Sequence, residues 1–130
     1  MSKRNTIFSY NYQKMSFVYA LKGMWLLARE EAHVQIQLCI TFLVIILGFL
    51  LRVSLLEWAL VLFCCALVLV TEALNTAIEK TLDFVHPARE PKIGIIKDIS
   101  AGAVLFAAVF SVIIGLLIFL PKIIKVIGSF

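Results

Sequence analysis

The sequence predicts an all-α membrane protein: an N-terminal amphipathic surface helix followed by three transmembrane helices. Three observations predict it. The 130 residues are 62% hydrophobic and only 15% charged, with a mean hydropathy of +1.04. Soluble domains sit near half apolar and a quarter charged, and disordered chains are more polar still, so both classes are excluded. Charge-free runs long enough to cross lipid recur along the chain, and the few charges collect between them. The length suits one small domain over residues 1–130, with no room for a separate nucleotide-binding domain beside a membrane anchor.

The surface helix is expected at about residues 12–29. From Ser16 to Ala28 the apolar residues Phe17, Val18, Tyr19, Leu21, Met24, Trp25 and Leu27 recur at mixed three- and four-residue steps, with Lys14, Lys22 and Arg29 interspersed. That pattern suits a helix lying in the headgroup plane. It is not a secretory signal, because the apolar run is interrupted and no small-residue cleavage site follows.

The first span is expected at 32–51. Ala32 to Leu51 is a charge-free run of 20 residues, enough for a hydrocarbon core of roughly 30 Å. Trp58 to Thr71 is only 14 residues before Glu72. No Pro or Gly interrupts the chain from there to Val85. The second span is therefore one long helix over 57–85, apolar first and polar-striped in its cytoplasmic extension, ending at His86-Pro87 because a residue before Pro disfavours α. The charge-free run Ile99 to Pro121 gives the third span, about 98–120.

Orientation follows from Lys and Arg. Lys3, Arg4, Lys14, Lys22 and Arg29 precede the first span, and Lys80, Arg89, Lys92 and Lys97 flank the second connection. Arg52, Lys122 and Lys125 lie on the other side. The N-terminus and the second connection are expected in the cytoplasm, with Lys122 and Lys125 a minor conflict. The net charge of +4 reads as attraction to anionic lipid or phosphate, not nucleic acid. Cys39, Cys64 and Cys65 lie in apolar spans with no metal-like spacing to His33 or His86 and read as small hydrophobes.

Charges at membrane depth are costly and mark a functional site by default. On a helix, Glu72, Thr76, Glu79 and Asp83 share one face, with Asn75 at its edge. Glu72 and Glu79 stand two turns apart, about 10 Å along the axis, too far to share one ion unaided. Glu31, at the entrance of the first span, can meet Glu79 at a similar depth. Two hard carboxylates from different helices suit Mg²⁺, which takes its remaining ligands from water and phosphates. Lys97 and Asp98 open the third span at the same interface. These are parts for phosphoryl transfer, with Glu72, the deeper carboxylate, placed to accept a proton from a lipid hydroxyl while ATP arrives at Glu31 and Glu79. The same carboxylates also suit a sodium or proton pathway, ion-paired glue between subunits, or a pore lining. No G-x-x-x-x-G-K-[ST] or G-x-G-x-x-G stretch occurs.

The run Glu72-Ala-Leu-Asn75-Thr-Ala-Ile-Glu79, with Asp83 and then Lys97-Asp-Ile-Ser-Ala-Gly-Ala-Val104, closely resembles the signature of the prokaryotic diacylglycerol kinase family, which includes diacylglycerol and undecaprenol kinases. Tyr19-Ala-Leu-Lys-Gly23 and Glu31-x-x-x-Gln-Ile-Gln-Leu38 extend the resemblance over roughly residues 14 to 120 in colinear order. It implies a homotrimer in the bacterial inner membrane, with active sites shared between subunits. It implies Glu72 as catalytic base, Glu31 and Glu79 as ligands of Mg²⁺ with ATP, and Asn75 as the residue that orders the catalytic helix. Lys97 and Asp98 would contact phosphates and nucleoside; Tyr19, Ala88, Arg89 and Glu90 would also face the nucleotide. Two departures stand out: His33 and Gln35 replace the Asn and Arg of many relatives, and the 87–91 loop is flanked by Pro87 and Pro91. The implied activity is ATP- and Mg²⁺-dependent phosphorylation of a membrane lipid alcohol, diacylglycerol or undecaprenol. A small ion-conducting or assembly protein is the alternative of a different class.

Overall fold

The computed structural model describes residues 10–88 and 90–128, with the side chains of α1 described from Gln13 onward. Four helices follow one another: α1 (Tyr10–Glu30), α2 (Ala32–Leu50), α3 (Leu55–Val85) and α4 (Pro91–Ile127). α2, α3 and α4 are each long and apolar enough to cross a membrane. At about 1.5 Å per residue, α2 matches a core of roughly 30 Å, whereas α3 and α4, at about 46 and 55 Å, overrun it. α4 packs mainly on α3, and α2 adds a smaller contact on α3.

α1 and α2 are separated by a single residue. Glu31 takes an extended conformation (φ −101°, ψ 112°), breaking the helix with neither Pro nor Gly. A helix end leaves its last carbonyls without intrahelical donors. Here the Gln35 amide supplies one, donating to the Arg29 carbonyl at 2.8 Å. Arg29 also lies over the Trp25 ring, 5.0 Å from its centroid.

The α2–α3 turn is tight and fully specified. Arg52 adopts φ 49°, while its N–H donates to Phe49 (3.3 Å) and the Val53 N–H to Gly48 (3.1 Å). This is a Schellman ending with Arg where Gly is usual. Ser54 then caps α3: its hydroxyl accepts from the Glu57 N–H, and Glu57 accepts from the Ser54 N–H at 2.6 Å. Gly48 lets the Trp58 ring close on α2, since a Cβ there would lie 2.7 Å from the indole. Val53, Val61, Ile118 and Phe119 form the buried core at this end of the molecule.

α4 begins seven residues earlier than the 98–120 span, because Pro91 at its first turn needs no N–H partner and has φ preset for helix. It also runs through Pro121 to Ile127. Pro inside a helix costs a hydrogen bond, but membrane helices tolerate it when neighbours hold the segment. Lys122 does so, meeting Glu57 at 3.0 Å.

A non-glycine residue in the left-handed region costs about 1–2 kcal/mol. Arg52→Gly is therefore expected to stabilise the protein by roughly 1 kcal/mol, and Arg52→Val to destabilise it, in denaturant unfolding of the detergent-solubilised protein. A stability ranking of Val above Gly would show that the turn does not depend on this conformation.

Candidate active site

α3 buries one face: Val61, Cys64, Val68, Glu72 and Thr76 follow one another at steps of three or four residues. Two polar residues thus continue an apolar stripe. Glu72 is only 8% exposed even in the single chain. The depth of each carboxylate follows from helix rise. Taking the Glu57–Lys122 pair as one membrane boundary, Glu72 lies about 22 Å along α3, Glu79 about 33 Å and Asp83 about 39 Å. Against a core of roughly 30 Å, Glu72 is inside the apolar layer, Glu79 at its far edge and Asp83 beyond. An apolar cavity of about 260 Å³, lined by Ile40, Val61, Cys64, Val68 and Val112 among others, reaches to within one turn of Glu72.

At the Glu79 level α3 and α4 are joined by polar bonds. The Asn75 amide donates to Glu79 Oε1 at 3.2 Å. Its carbonyl oxygen lies 2.5 Å from the hydroxyl of Ser100, a buried residue of α4. One turn further out, Lys97 Nζ meets Asp83 Oδ1 at 2.6 Å. Asp98 is exposed beside Lys97. Asn75, Glu79, Lys97 and Asp98 therefore collect at one end of the α3–α4 pair.

The α1–α2 joint comes to the same level. Lys80, next to Glu79, reaches Glu31 at 2.8 Å and Glu30 at 3.7 Å. The extended residue at the joint is the one expected to share an ion with Glu79, and a cationic group already rests on it. Gln35, which departs from the family pattern, serves the joint itself through Arg29. His33 is exposed. Tyr19 is also exposed (62%), and lies about 18 Å before the joint along α1. Within one chain it is therefore remote from Glu31.

The second connection forms an open recess of about 620 Å³ lined by Asp83, His86, Ala88, Glu90, Lys97 and apolar neighbours such as Ile93. His86 closes it on itself: Nδ1 lies 3.1 Å from the Ala88 carbonyl and Nε2 lies 3.5 Å from Glu90. Ala88, Glu90 and Lys97 thus face one space. Arg89 lies outside the described residues.

Among the described residues no group of three or more His, Cys, Asp or Glu side chains is clustered to hold an ion alone. Glu31 and Glu79 are the hard oxygen donors that a divalent ion takes together with phosphates and water, but here Lys80 contacts Glu31 while Glu79 faces Asn75. The Lys80 ammonium shows the joint to favour positive charge. The three cysteines are free thiols, one of them buried.

Three contacts across helices escaped the motif reading: Ser100 with Asn75, Lys97 with Asp83 and Lys80 with Glu31. Ser100 sits inside the Lys97–Val104 run, and its spacing of three from Lys97 on a helix is the one hint of a shared face. Asp83 and Lys97 are opposite charges flanking a short connection between antiparallel helices, a pairing the connection length implies. Lys80 is adjacent to Glu79 and so points to a different side, toward the joint.

Comparison with known proteins agrees with this architecture. The prokaryotic diacylglycerol kinase family model matches residues 18–119. The undecaprenol kinase of Bacillus subtilis (strain 168) is 44% identical over 107 residues, covering 82% of this chain and 87% of its own. A diacylglycerol kinase of Pseudomonas aeruginosa is 38% identical over 85 residues, 65% of this chain and 69% of its own. One from Helicobacter pylori (strain J99) is 33% identical over 90 residues, 69% and 68% respectively. With three apolar helices and carboxylates at the positions that carry the motif, the chain belongs to the prokaryotic diacylglycerol kinase family of lipid kinases.

Proposed function

We propose that the chain transfers the γ-phosphoryl group of ATP to the hydroxyl of a membrane lipid alcohol. The observation that carries the reading is the buried Glu72 at the end of an apolar face, two turns inside Glu79 and the polar junction of α3, α4 and the α1–α2 joint. A lipid hydroxyl arrives from the bilayer and a nucleotide from water, and the two carboxylates stand on the two sides of that boundary. The lipid oxygen bonds to the γ-phosphorus as the bond to the β–γ bridging oxygen breaks. Glu72 accepts the hydroxyl proton, and ADP departs. Asn75 keeps the stretch of α3 between the two carboxylates in register with α4.

Glu31 and Glu79 would hold Mg²⁺ with the nucleotide; the ion supplies neutralisation of charge on the transferring group. Lys97 faces the phosphates once it leaves Asp83, and Asp98 follows toward the nucleoside. The recess lined by Ala88 and Glu90 has the size of a small-molecule site and takes the nucleoside end, with Arg89 in the same loop. Tyr19 completes the nucleotide contacts.

The acceptor is undecaprenol in our reading, with diacylglycerol the second candidate. Identity to the undecaprenol kinase exceeds that to the two diacylglycerol kinases by 6 and 11 percentage points (44 against 38 and 33). The working unit is a homotrimer in the bacterial inner membrane, its N-terminus and second connection cytoplasmic. Two features support the shared site: Tyr19 is remote from the joint within one chain, and much of the apolar surface of α2–α4 is exposed. The Glu57–Lys122 pair also offsets one of the two positive charges at the opposite face that ran against this orientation. The relatives named above are all lipid kinases by name, which favours this reading over an ion pathway or assembly role for the same carboxylates.

Labelled ATP in mixed micelles, with undecaprenol and diacylglycerol offered in parallel, is expected to label undecaprenol faster. Labelling of neither lipid would refute the kinase reading, and faster labelling of diacylglycerol would reverse the substrate assignment. Glu72→Gln should lower turnover by about 10²–10⁴-fold while nucleotide affinity stays within a few-fold. Equal loss of both would remove Glu72 from the role of base. Glu79→Gln should raise the Mg²⁺ concentration needed for half-maximal rate, and an unchanged titration would exclude it as a ligand.

A further inference from the structure

Ser100 has no role in the reading above, yet it is the only buried polar side chain that α4 contributes among the described residues (8% exposed). Its hydroxyl carries one hydrogen and faces two acceptors: Asn75 Oδ1 at 2.5 Å and the carbonyl of Lys97 at 3.0 Å. The nearer acceptor, on the other helix, takes the hydrogen; the bond back to Lys97 is the local alternative open to any helical Ser. With its oxygen so engaged, the Asn75 amide presents its N–H to Glu79 Oε1 at 3.2 Å. The reverse orientation would set the amide oxygen against the carboxylate. Ser100 O–H to Asn75 to Glu79 is thus a directed chain that begins on α4 and ends on one oxygen of a carboxylate on α3. It occupies Oε1 and leaves Oε2 for a ligand. Near the edge of the apolar layer each bond in such a chain polarises the next, so the first link strengthens the last.

We infer that Ser100 is a positioning residue for the metal carboxylate: acting through Asn75, it orients Glu79 so that its second oxygen meets the divalent ion held with the nucleotide. The inference rests on the reading of Glu79 as a metal ligand. Groups that orient metal ligands from behind typically change metal affinity by about 10–100-fold when removed. Ser100 is also three residues from Lys97, on the same side of α4. The bond that orients Glu79 therefore also fixes the axial position of Lys97 relative to α3.

Mn²⁺ serves as the probe, its unbound fraction read by electron paramagnetic resonance on the full-length detergent-solubilised protein with a non-hydrolysable ATP analogue. Ser100→Ala is expected to weaken Mn²⁺ binding about tenfold. Ser100→Thr, which keeps the hydroxyl, should restore it to within about threefold, an allowance inside the span of such effects. In an Asn75→Ala background Ser100→Ala should add nothing, because the chain is already cut. Unchanged binding in Ser100→Ala, or an equal further loss in the Asn75→Ala background, would overturn the inference. Should Ser100→Ala fail to fold, Ser100→Cys, similar in volume but a weak donor, takes its place with the same expected direction. Glu79→Gln separates the two levels of the claim. If it leaves Mn²⁺ binding intact, the metal-ligand reading falls; if it abolishes binding while Ser100→Ala does not, only the role of Ser100 falls.

Discussion

The antiparallel pairing of α3 with α4 is the constraint on which the remaining structure depends. It is tied by polar links at intervals along its length: Glu57 with Lys122, the Cys64 carbonyl with Ser111, Asn75 with Ser100, and Asp83 with Lys97. Between two long apolar helices in lipid, burial of hydrocarbon gives little preference for one axial offset over another, since lipid tails are as apolar as the partner. Polar links supply that preference. A slide of one turn would separate every pair at once and strand Asn75 and Ser100 in apolar surroundings, where each unpaired polar group costs several kcal/mol. The pairs therefore set the depth of each carboxylate relative to Lys97 and Asp98 of α4. The apolar core about Val61 and Phe119 closes the far end beside the Glu57–Lys122 pair, so packing joins the polar links there, while polar bonds alone tie the end at Asn75 and Asp83.

That division explains what could be read from residues alone. Span number, the surface helix and the break near Glu31 were legible because lipid imposes a coarse rule: charge stays out of the core. The same rule made Glu72 and Glu79 conspicuous, and helical periodicity placed them with Asn75 and Asp83 on one side. Partners across helices were not legible. Ser100 looks like any small residue of a membrane helix until Asn75 is found beside it, and an alternation of helix faces does not say which residue of α4 lies opposite which residue of α3. Helix lengths beyond the membrane were hidden for a related reason. Lys92 and Lys97 read as connection, although Pro91 starts the helix before them, and Pro121 read as an end, although Lys122 is held by Glu57. The left-handed Arg52 was invisible because the usual marker, Gly, is absent.

The joint at Glu31 shows how a very small chain assembles chemistry from local conflicts. Arg29, Glu30 and Glu31 stand where a surface helix must turn into a span, and one extended residue makes the turn. Gln35 compensates the carbonyl that the break exposes. The residue left outside both helices is a carboxylate, and α3 delivers Lys80 to it. With Lys80 half-exposed and the Glu31 side chain about a quarter exposed, water still screens the pair and keeps its contribution to stability modest. On the proposed reading, a divalent ion with phosphates displaces Lys80 from Glu31 without unmaking the fold.

Exchangeable pairs at the water boundary and fixed ones deeper in form a gradient along α3. Lys80–Glu31 and Lys97–Asp83 include half or more exposed partners, whereas the Asn75–Ser100 contact is part-buried and Glu72 buried. On the proposed reading the order is functional. Cationic groups that must release carboxylates and turn to phosphates lie where water can screen the change. The group that must accept a proton lies where water is scarce, beside the phase that carries the lipid. A composition of 62% hydrophobic residues is then more than an anchor: it holds one carboxylate below the surface and its neighbour at it. The separation of about 10 Å between them is what lets a water-borne phosphate and a lipid-borne hydroxyl meet without either leaving its own solvent.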